Sequence, residues 1–336
     1  IAYLYRQQNF SIGPDTTTNE SVSIPALVAS AVGVQIPLKS ASDPAASANS
    51  MVPQGGLFWD GRVNTLQQQA DGPLFNPIEM DGGSAAAVVA RIAAAPYAQQ
   101  FAALFGATIF TDPAQAVAEA EFAIASYENE DSSFHPFTSK FDAWVQGKAT
   151  LTPAEVAGYE AFNDPNRGNC AACHLDQPTS DHLPPLFTDT QYEALGVPRN
   201  AAIPANANAA YYDLGICGPY RTDLSAATQY CAMFLTPSLR NVALQHAYFH
   251  NGAYSTLQDV LNFYNLRDVQ PQNVYPLDAS GHALKYNDIP AADQANVDTV
   301  DAPLNRKLGQ APALSALDIG NIIAFLGTLS DGWSAP

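Results

Sequence analysis

The sequence predicts a mainly α-helical fold in two domains with long loops, and three observations point to it. Helix-opening residues recur along the chain: Ser84, Asp112-Pro113, Thr152-Pro153-Ala154-Glu155, Thr256-Leu257-Gln258-Asp259, and Ser315 with Asp318 three positions on. The segments behind them repeat apolar residues at helical spacing. Few segments show the alternation of strands. In chain order, residues 1–58 are rich in Ser, Thr, Pro, Asn and Ala and predict ordered loop with short helical pieces such as 24–31. Residues 84–95 form an Ala-rich helix. A second, over 96–105, puts Tyr97, Phe101, Leu104 and Phe105 on one face, and a third runs from Asp112-Pro113 to about Tyr127. Gln146-Gly147-Lys148 sets a boundary near 148, dividing 1–148 from 149–336. The capping box at Thr152 opens a helix carrying Val156, Tyr159 and Phe162. The Pro-, Asn- and Asp-rich stretch 176–236 is mostly loop. The last helix follows Ser315, with Leu317, Ile319, Ile322, Ile323, Phe325, Leu326 and Leu329 as its apolar surface.

A length of 336 residues accommodates two ordinary domains. No apolar run is long enough to span a membrane, although 47% of the residues are hydrophobic. A net charge of −18 with only 14 Lys and Arg excludes nucleic acid as a partner, because phosphate binding needs a basic face. It disfavours an anionic membrane surface and would steer a basic redox partner toward the chain. The chain opens at Ile1 without a leader pattern, which fits either a removed leader or a start inside a longer product.

The most specific motif is Cys170-Ala171-Ala172-Cys173-His174, a C-x-x-C-H site for covalent haem c. Two thiols three positions apart share one helical turn and reach the two vinyl edges of one porphyrin, and the adjacent imidazole becomes the proximal iron ligand. A zinc half-site would need a second Cys/His pair nearby, and a redox dithiol would need a βαβ context; the sequence supplies neither. Cys217 and Cys231 remain. A disulfide between them is favoured over two buried thiols because haem c is attached outside the cytoplasm, where disulfides persist. The expected location is periplasmic or at the cell surface.

Seven segments stand in an order that resembles the bacterial di-haem cytochrome c peroxidase family, which includes the MauG-like enzymes. They are Leu57-Phe58-Trp59-Asp60-Gly61-Arg62, Gln69-Ala70-Asp71-Gly72-Pro73, Asn76-Pro77-Ile78-Glu79-Met80, the haem motif, Leu195-Gly196-Val197-Pro198-Arg199-Asn200, Thr236-Pro237-Ser238-Leu239-Arg240-Asn241-Val242, and Tyr248-Phe249-His250-Asn251-Gly252. The resemblance implies two cytochrome c-like haem domains: an N-terminal peroxidatic domain within 1–148 and a C-terminal electron-transfer domain within 149–336. It also implies two haem c groups. Only one attachment motif is present; the resemblance of Ser11-Ile12-Gly13 to the segment behind the first motif would place the other just before Ile1, the alternative being a true single-haem variant.

The same resemblance implies the site. Glu79 is similar to the distal carboxylate that moves a proton between peroxide oxygens. Gln69 is similar to a polar residue that hydrogen-bonds peroxide, and Trp59 to an indole lying between the two haems. Pro14 stands where peroxidases carry a His that blocks the peroxidatic iron, which implies a permanently open N-terminal haem. Tyr264, eight residues after Thr256, matches the MauG-like sixth ligand of the C-terminal haem, where peroxidases use Met. His250 matches a residue supporting that haem. A calcium site would draw on Ser23 and the carbonyls of Gln245 and Ala247. The implied activity is reduction of H2O2, with electrons from a small donor protein passed from the C-terminal haem to the N-terminal one. The alternative is a MauG-like oxidase whose high-valent di-haem iron modifies a residue on a partner protein. A cytochrome that only transfers electrons is disfavoured by Glu79 and Gln69.

Overall fold

A computed structural model describes residues 9–14, 51–178 and 183–335. Strands β1 (Ser11–Pro14) and β2 (Met51–Gln54) pair antiparallel, with Ser11 opposite Gln54 and Pro14 opposite Met51. Four helices follow: α1 (Leu66–Phe75), α2 (Ala85–Ala93), α3 (Ala98–Phe105) and α4 (Pro113–Glu130). Four more are α5 (Lys140–Val145), α6 (Pro153–Asn163), α7 (Leu257–Leu266) and α8 (Ala316–Gly327). Two-residue strands β3 (Tyr192–Glu193) and β4 (Phe234–Leu235) pair antiparallel within the long loops. The chain is mainly helical, as expected, and among the described residues no helix is long and apolar enough to cross a membrane. The expected helical piece 24–31 lies outside the described residues.

The helix starts follow from side-chain caps. Ser84 accepts from Ala87 N, and Asp112 accepts from Ala114 N and Gln115 N. Thr152 with Glu155 and Ser315 with Asp318 are reciprocal capping boxes, and a third, Ser139 with Asp142, opens α5.

The chain divides into two compact units. The first contains Gly55–His135. Its interior is the cluster Val88, Val89, Phe101, Ile109, Ala116 and Val117, with Leu57, Leu66 and Ala125 packed under α1. Phe101 stands against Phe105 and Phe110, with centroids 4.7 and 5.8 Å away. The second unit contains the β1–β2 pair and Pro136–Pro336. The division therefore falls ahead of the expected 148. The reason is α5, whose Phe141 and Trp144 are 1% and 2% exposed inside the second unit's core. Burial of two aromatic side chains contributes roughly 1.5–3 kcal/mol each, more than the Gln146-Gly147 turn can set against it.

That core gathers Phe141, Trp144, Tyr159, Phe162, Phe187 and Phe325 in mostly edge-to-face contacts. It rests on a close crossing of α6 and α8. A Cβ on Gly158 would lie 1.9 Å from Asn321 O, so only glycine lets the two backbones approach. Loop 204–230 is held by the Cys217–Cys231 disulfide, as expected, with Cα atoms 5.0 Å apart.

Candidate functional site

The haem motif follows α6 after the short loop 164–169. Asn169, in the left-handed region at φ 50°, turns the chain and anchors to Ala302 O through its amide at 3.1 Å. Cys170–Ala172 is one 3-10 turn, continued by His174 N donating to Cys170 O at 2.9 Å. The turn presents Cys170, Cys173 and His174 together, and Ala171 is buried in the aromatic core beneath.

His174 is oriented by the backbone opposite. Its Nδ1–H donates to Phe187 O at 3.0 Å, and Phe187 N in turn donates to Leu175 O at 3.1 Å. A carbonyl can only accept, so this bond fixes the Nδ1–H tautomer and leaves the Nε2 lone pair for a metal. Phe187 cannot yield, because its ring is 0% exposed between Phe141, Phe162 and Phe325. Burial pushes the His174 pKa down to about 4, against the opposing pull of the Phe187 and Pro237 carbonyls, so the ring is neutral near pH 7.

Burial also pushes the Cys170 thiol up to about 12. Cys173 rises well above its usual value, by burial and then by the charges of Asp189, Glu193, Asp301 and Asp298. Among the described residues no cluster of three or more His, Cys, Asp and Glu could hold a metal ion. The donor set fits haem c: two unpaired thiols on one turn and an imidazole with its tautomer fixed.

The Tyr264 phenol lies within electrostatic reach of Cys173 and Cys170, and burial pushes its pKa far up while Arg267 pulls it down. Phe249, at φ 65°, inserts its ring against Phe263 and Tyr264 at 4.9 and 5.9 Å, joining the His250 loop to α7. The His250 ring stacks on Phe234 with centroids 3.5 Å apart and planes 5° apart, and burial lowers its pKa to about 3. That loop is held by Asn251, which donates to Pro198 O at 2.9 Å, and by Asn200, which donates to Asn251 O at 2.9 Å. The structure thus brings together Cys170, Cys173, His174 and Tyr264, with His250 in the adjoining loop.

The other expected residues are in the first unit, on or beside α1. Gln69 is half-buried on α1, and Glu79 is exposed on the turn after it. Asn76 caps α1 and shapes that turn. Its Nδ2 donates to Glu79 Oε1 at 2.6 Å, its Oδ1 accepts from Ile78 N at 3.1 Å, and its carbonyl accepts from Glu79 N at 3.0 Å. Trp59 is exposed, between Phe58 at φ 64° and Asp60, which binds Arg62 at 3.0 and 3.1 Å. Of the calcium set, Gln245 and Ala247 are exposed and Gln245 O already accepts from Tyr248 Oη at 2.9 Å, while Ser23 lies outside the described residues.

Sequence reasoning missed three contributors: Phe187, whose carbonyl orients His174; Phe234, which stacks on His250; and Arg267, one turn beyond Tyr264. Only Arg267 had a signal, as a charged residue three positions from a ligand candidate on one helix face.

A family model described as di-haem cytochrome c peroxidase matches residues 6–150. The methylamine utilization protein MauG of Paracoccus denitrificans is 37% identical over 215 residues, 63% of this chain and 54% of that protein. The cytochrome c551 peroxidase of Nitrosomonas europaea is 29% identical over 213 residues, 61% of this chain and 52% of that protein. The chain thus spans about half the length of the curated relatives it matches. The crystal structure of the diheme peroxidase BthA from Burkholderia thailandensis E264 superposes with a TM-score of 0.76 at 38% identity, covering 84% of this chain and 67% of that one. With a haem-attachment turn in the second unit and this similarity along the chain, the protein belongs to the di-haem cytochrome c peroxidase and MauG-like family.

Proposed function

We propose that the protein is a di-haem c-type oxidoreductase that reduces hydrogen peroxide, taking up two electrons and two protons to give two waters. Each unit is a cytochrome c-like haem domain in this reading. Cys170 and Cys173 would hold one haem, and His174 Nε2 and the Tyr264 phenol oxygen would bind its iron. The other belongs to the N-terminal unit. Haem iron supplies the single-electron chemistry and an electrophilic centre for peroxide.

The protein's own groups do the rest. Glu79 takes the proton from the near peroxide oxygen and returns it to the far one, and Asn76 aims its carboxylate by the 2.6 Å bond. Gln69 holds the peroxide by its side-chain amide. Trp59 would serve as an electron relay, with a small redox protein as the donor. Pro14 has no side chain that could ligate an N-terminal haem iron. The Cys217–Cys231 disulfide and haem c attachment both suit a periplasmic or cell-surface location. A calcium ion at Gln245 and Ala247 completes the proposed cofactors.

The observation that supports the reading is the attachment turn itself: Cys170 and Cys173 beside His174, whose tautomer is fixed by Phe187 O, with Tyr264 within electrostatic reach of both cysteines. The test is haem content per chain, the spin state of the oxidised protein, and peroxide consumption with a reduced small c-type donor. Two haems, one high-spin, with donor-dependent turnover are expected; two low-spin haems without turnover would refute the assignment.

Tyr264 and Pro14 favour a second reading, a MauG-like oxidase that modifies a residue on a partner protein. Peroxide added to the fully oxidised protein should then change the haem spectrum without prior reduction. A requirement for half-reduction would return the protein to the peroxidase reading.

A further inference from the structure

Arg267 has 0% exposed surface, yet it is an arginine in the core of the haem-bearing unit. It follows α7 directly, three residues beyond Tyr264, so the two side chains lie on one helix face a turn apart. Each of its three guanidinium nitrogens donates a hydrogen bond. Nε donates to Asp268 Oδ2 at 2.7 Å, Nη1 to Leu195 O at 2.8 Å, and Nη2 to Asp298 O. Those carbonyls belong to two loops that also bond each other, Asp298 N donating to Ala194 O at 2.9 Å. Arg267 therefore ties the ligand-bearing helix to both loops with one rigid fork.

The charge around it is arranged as well. Asp268 accepts from Arg267 on one oxygen and from Lys285 on the other, and Tyr286 Oη reaches the second oxygen at 3.3 Å. Arg267 and Lys285 both lie near the Tyr286 ring, 5.6 and 4.7 Å from its centroid. The trio carries a net single positive charge. Facing the same site are carboxylates on the surrounding segments, Asp189, Glu193, Asp298 and Asp301. Glu193 and Arg267 both act on Tyr264 itself.

We propose that Arg267 is a positioning residue for Tyr264: it locks α7 in the register that presents the phenol oxygen to the haem iron, and with Asp268 and Lys285 it sets the electrostatic potential behind that ligand. This rests on Tyr264 being an axial ligand. A buried cation stabilises the less positive, reduced iron and raises its potential, and a buried carboxylate does the reverse.

The test uses the haem-loaded full chain and reads the low-spin haem by its spectrum and by potentiometric titration. Lys285→Gln should move the midpoint down and Asp268→Asn should move it up, both with the tyrosine-ligand signature intact. Opposite signs are the mark of charge, since loosened packing would not reverse with the sign of the residue removed. Arg267→Gln should weaken the tyrosine signature, and Arg267→Lys should restore it in part. Unchanged midpoints in both flanking variants, or shifts of the same sign, overturn the proposal even where Arg267→Gln fails to fold. Tyr264→Phe separates the two claims. An unchanged low-spin spectrum there defeats the ligand assignment itself, whereas a changed one beside silent charge variants defeats only the role of Arg267.

Discussion

Arg240 and Asp142 form a bidentate ion pair, Nη2 to Oδ1 at 2.8 Å and Nη1 to Oδ2 at 2.9 Å, with side chains only 3% and 2% exposed. The pair joins α5 to the loop that follows β4. Arg240 Nε also donates to Pro185 O at 2.8 Å, two residues from the Phe187 carbonyl that orients His174. Although burial pushes the Asp142 carboxyl up, the Arg240 guanidinium and the Ser139 hydroxyl hold it below its usual value.

Removing one partner leaves the other charge buried and uncompensated. Arg240→Met should cost roughly 3–5 kcal/mol of stability, read by denaturant unfolding near pH 7. The depressed carboxyl supplies stability that is present above the unfolded pKa and is lost as pH falls through the folded one. The gap between wild type and Arg240→Met should therefore narrow under acid. A gap that stays constant down to acid unfolding would mean that the pair contributes little.

Glu121 makes the opposite pH prediction in the first unit. It sits on α4, 9% exposed, and hydrogen-bonds Asp71 on α1. Burial, then the Asp71 charge and that hydrogen bond, raise its pKa to about 7. A raised carboxyl contributes stability that is full below the unfolded value near 4.5 and is lost as pH rises through about 7. Glu121→Gln keeps a hydrogen-bonding group without the charge. It should stabilise the protein at pH 8 by on the order of 1–3 kcal/mol, and much less at pH 4.5, as measured by unfolding at both values. Equal effects at the two pH values would show that the pair does not share a proton.

Gly158→Ala tests the helix crossing beneath the haem motif. The added Cβ would meet Asn321 O at 1.9 Å and Phe325 Cβ at 2.9 Å, both on α8. Backbone cannot swing aside as a side chain can, so the helices must separate. Overpacking of this kind costs about 1–3 kcal/mol or more, and the variant should show a lower Tm and reduced haem incorporation at Cys170 and Cys173. An unshifted Tm would mean that α6 and α8 are not held this close in solution.

The helical architecture was legible because caps are local: Ser84, Asp112, Thr152 and Ser315 each close a hydrogen bond within three residues. The α5 helix was not, although Ser139 and Asp142 form the same box, because Gly147 follows at once and suggested a linker. Only the burial of Phe141 and Trp144 assigns it to the second unit. The attachment turn was legible for the same local reason, its three donors being consecutive in one motif. Tyr264 needed a family register to find it. Phe187 and Phe234 had no sequence signal, since one acts through a carbonyl and the other through a ring face brought near by tertiary packing. Arg267 carries only its helical spacing from Tyr264 as a sequence signal, and its burial is a tertiary feature.

Glu79→Gln tests the proposed proton transfer most directly. The amide keeps the shape of the side chain, and its carbonyl oxygen can still accept the Asn76 Nδ2 bond that now measures 2.6 Å. The turn should therefore survive, along with haem content and spin state. An amide, however, cannot take up and return the peroxide proton. Loss of general acid–base catalysis should lower peroxide turnover about 10²–10⁴-fold, falling on kcat with little change in donor affinity. Asn76→Ala leaves the carboxylate chemically competent but removes its aim, so its loss should be smaller than that of Glu79→Gln. Full peroxide turnover in a correctly loaded Glu79→Gln protein would move the proton-transfer role away from this turn.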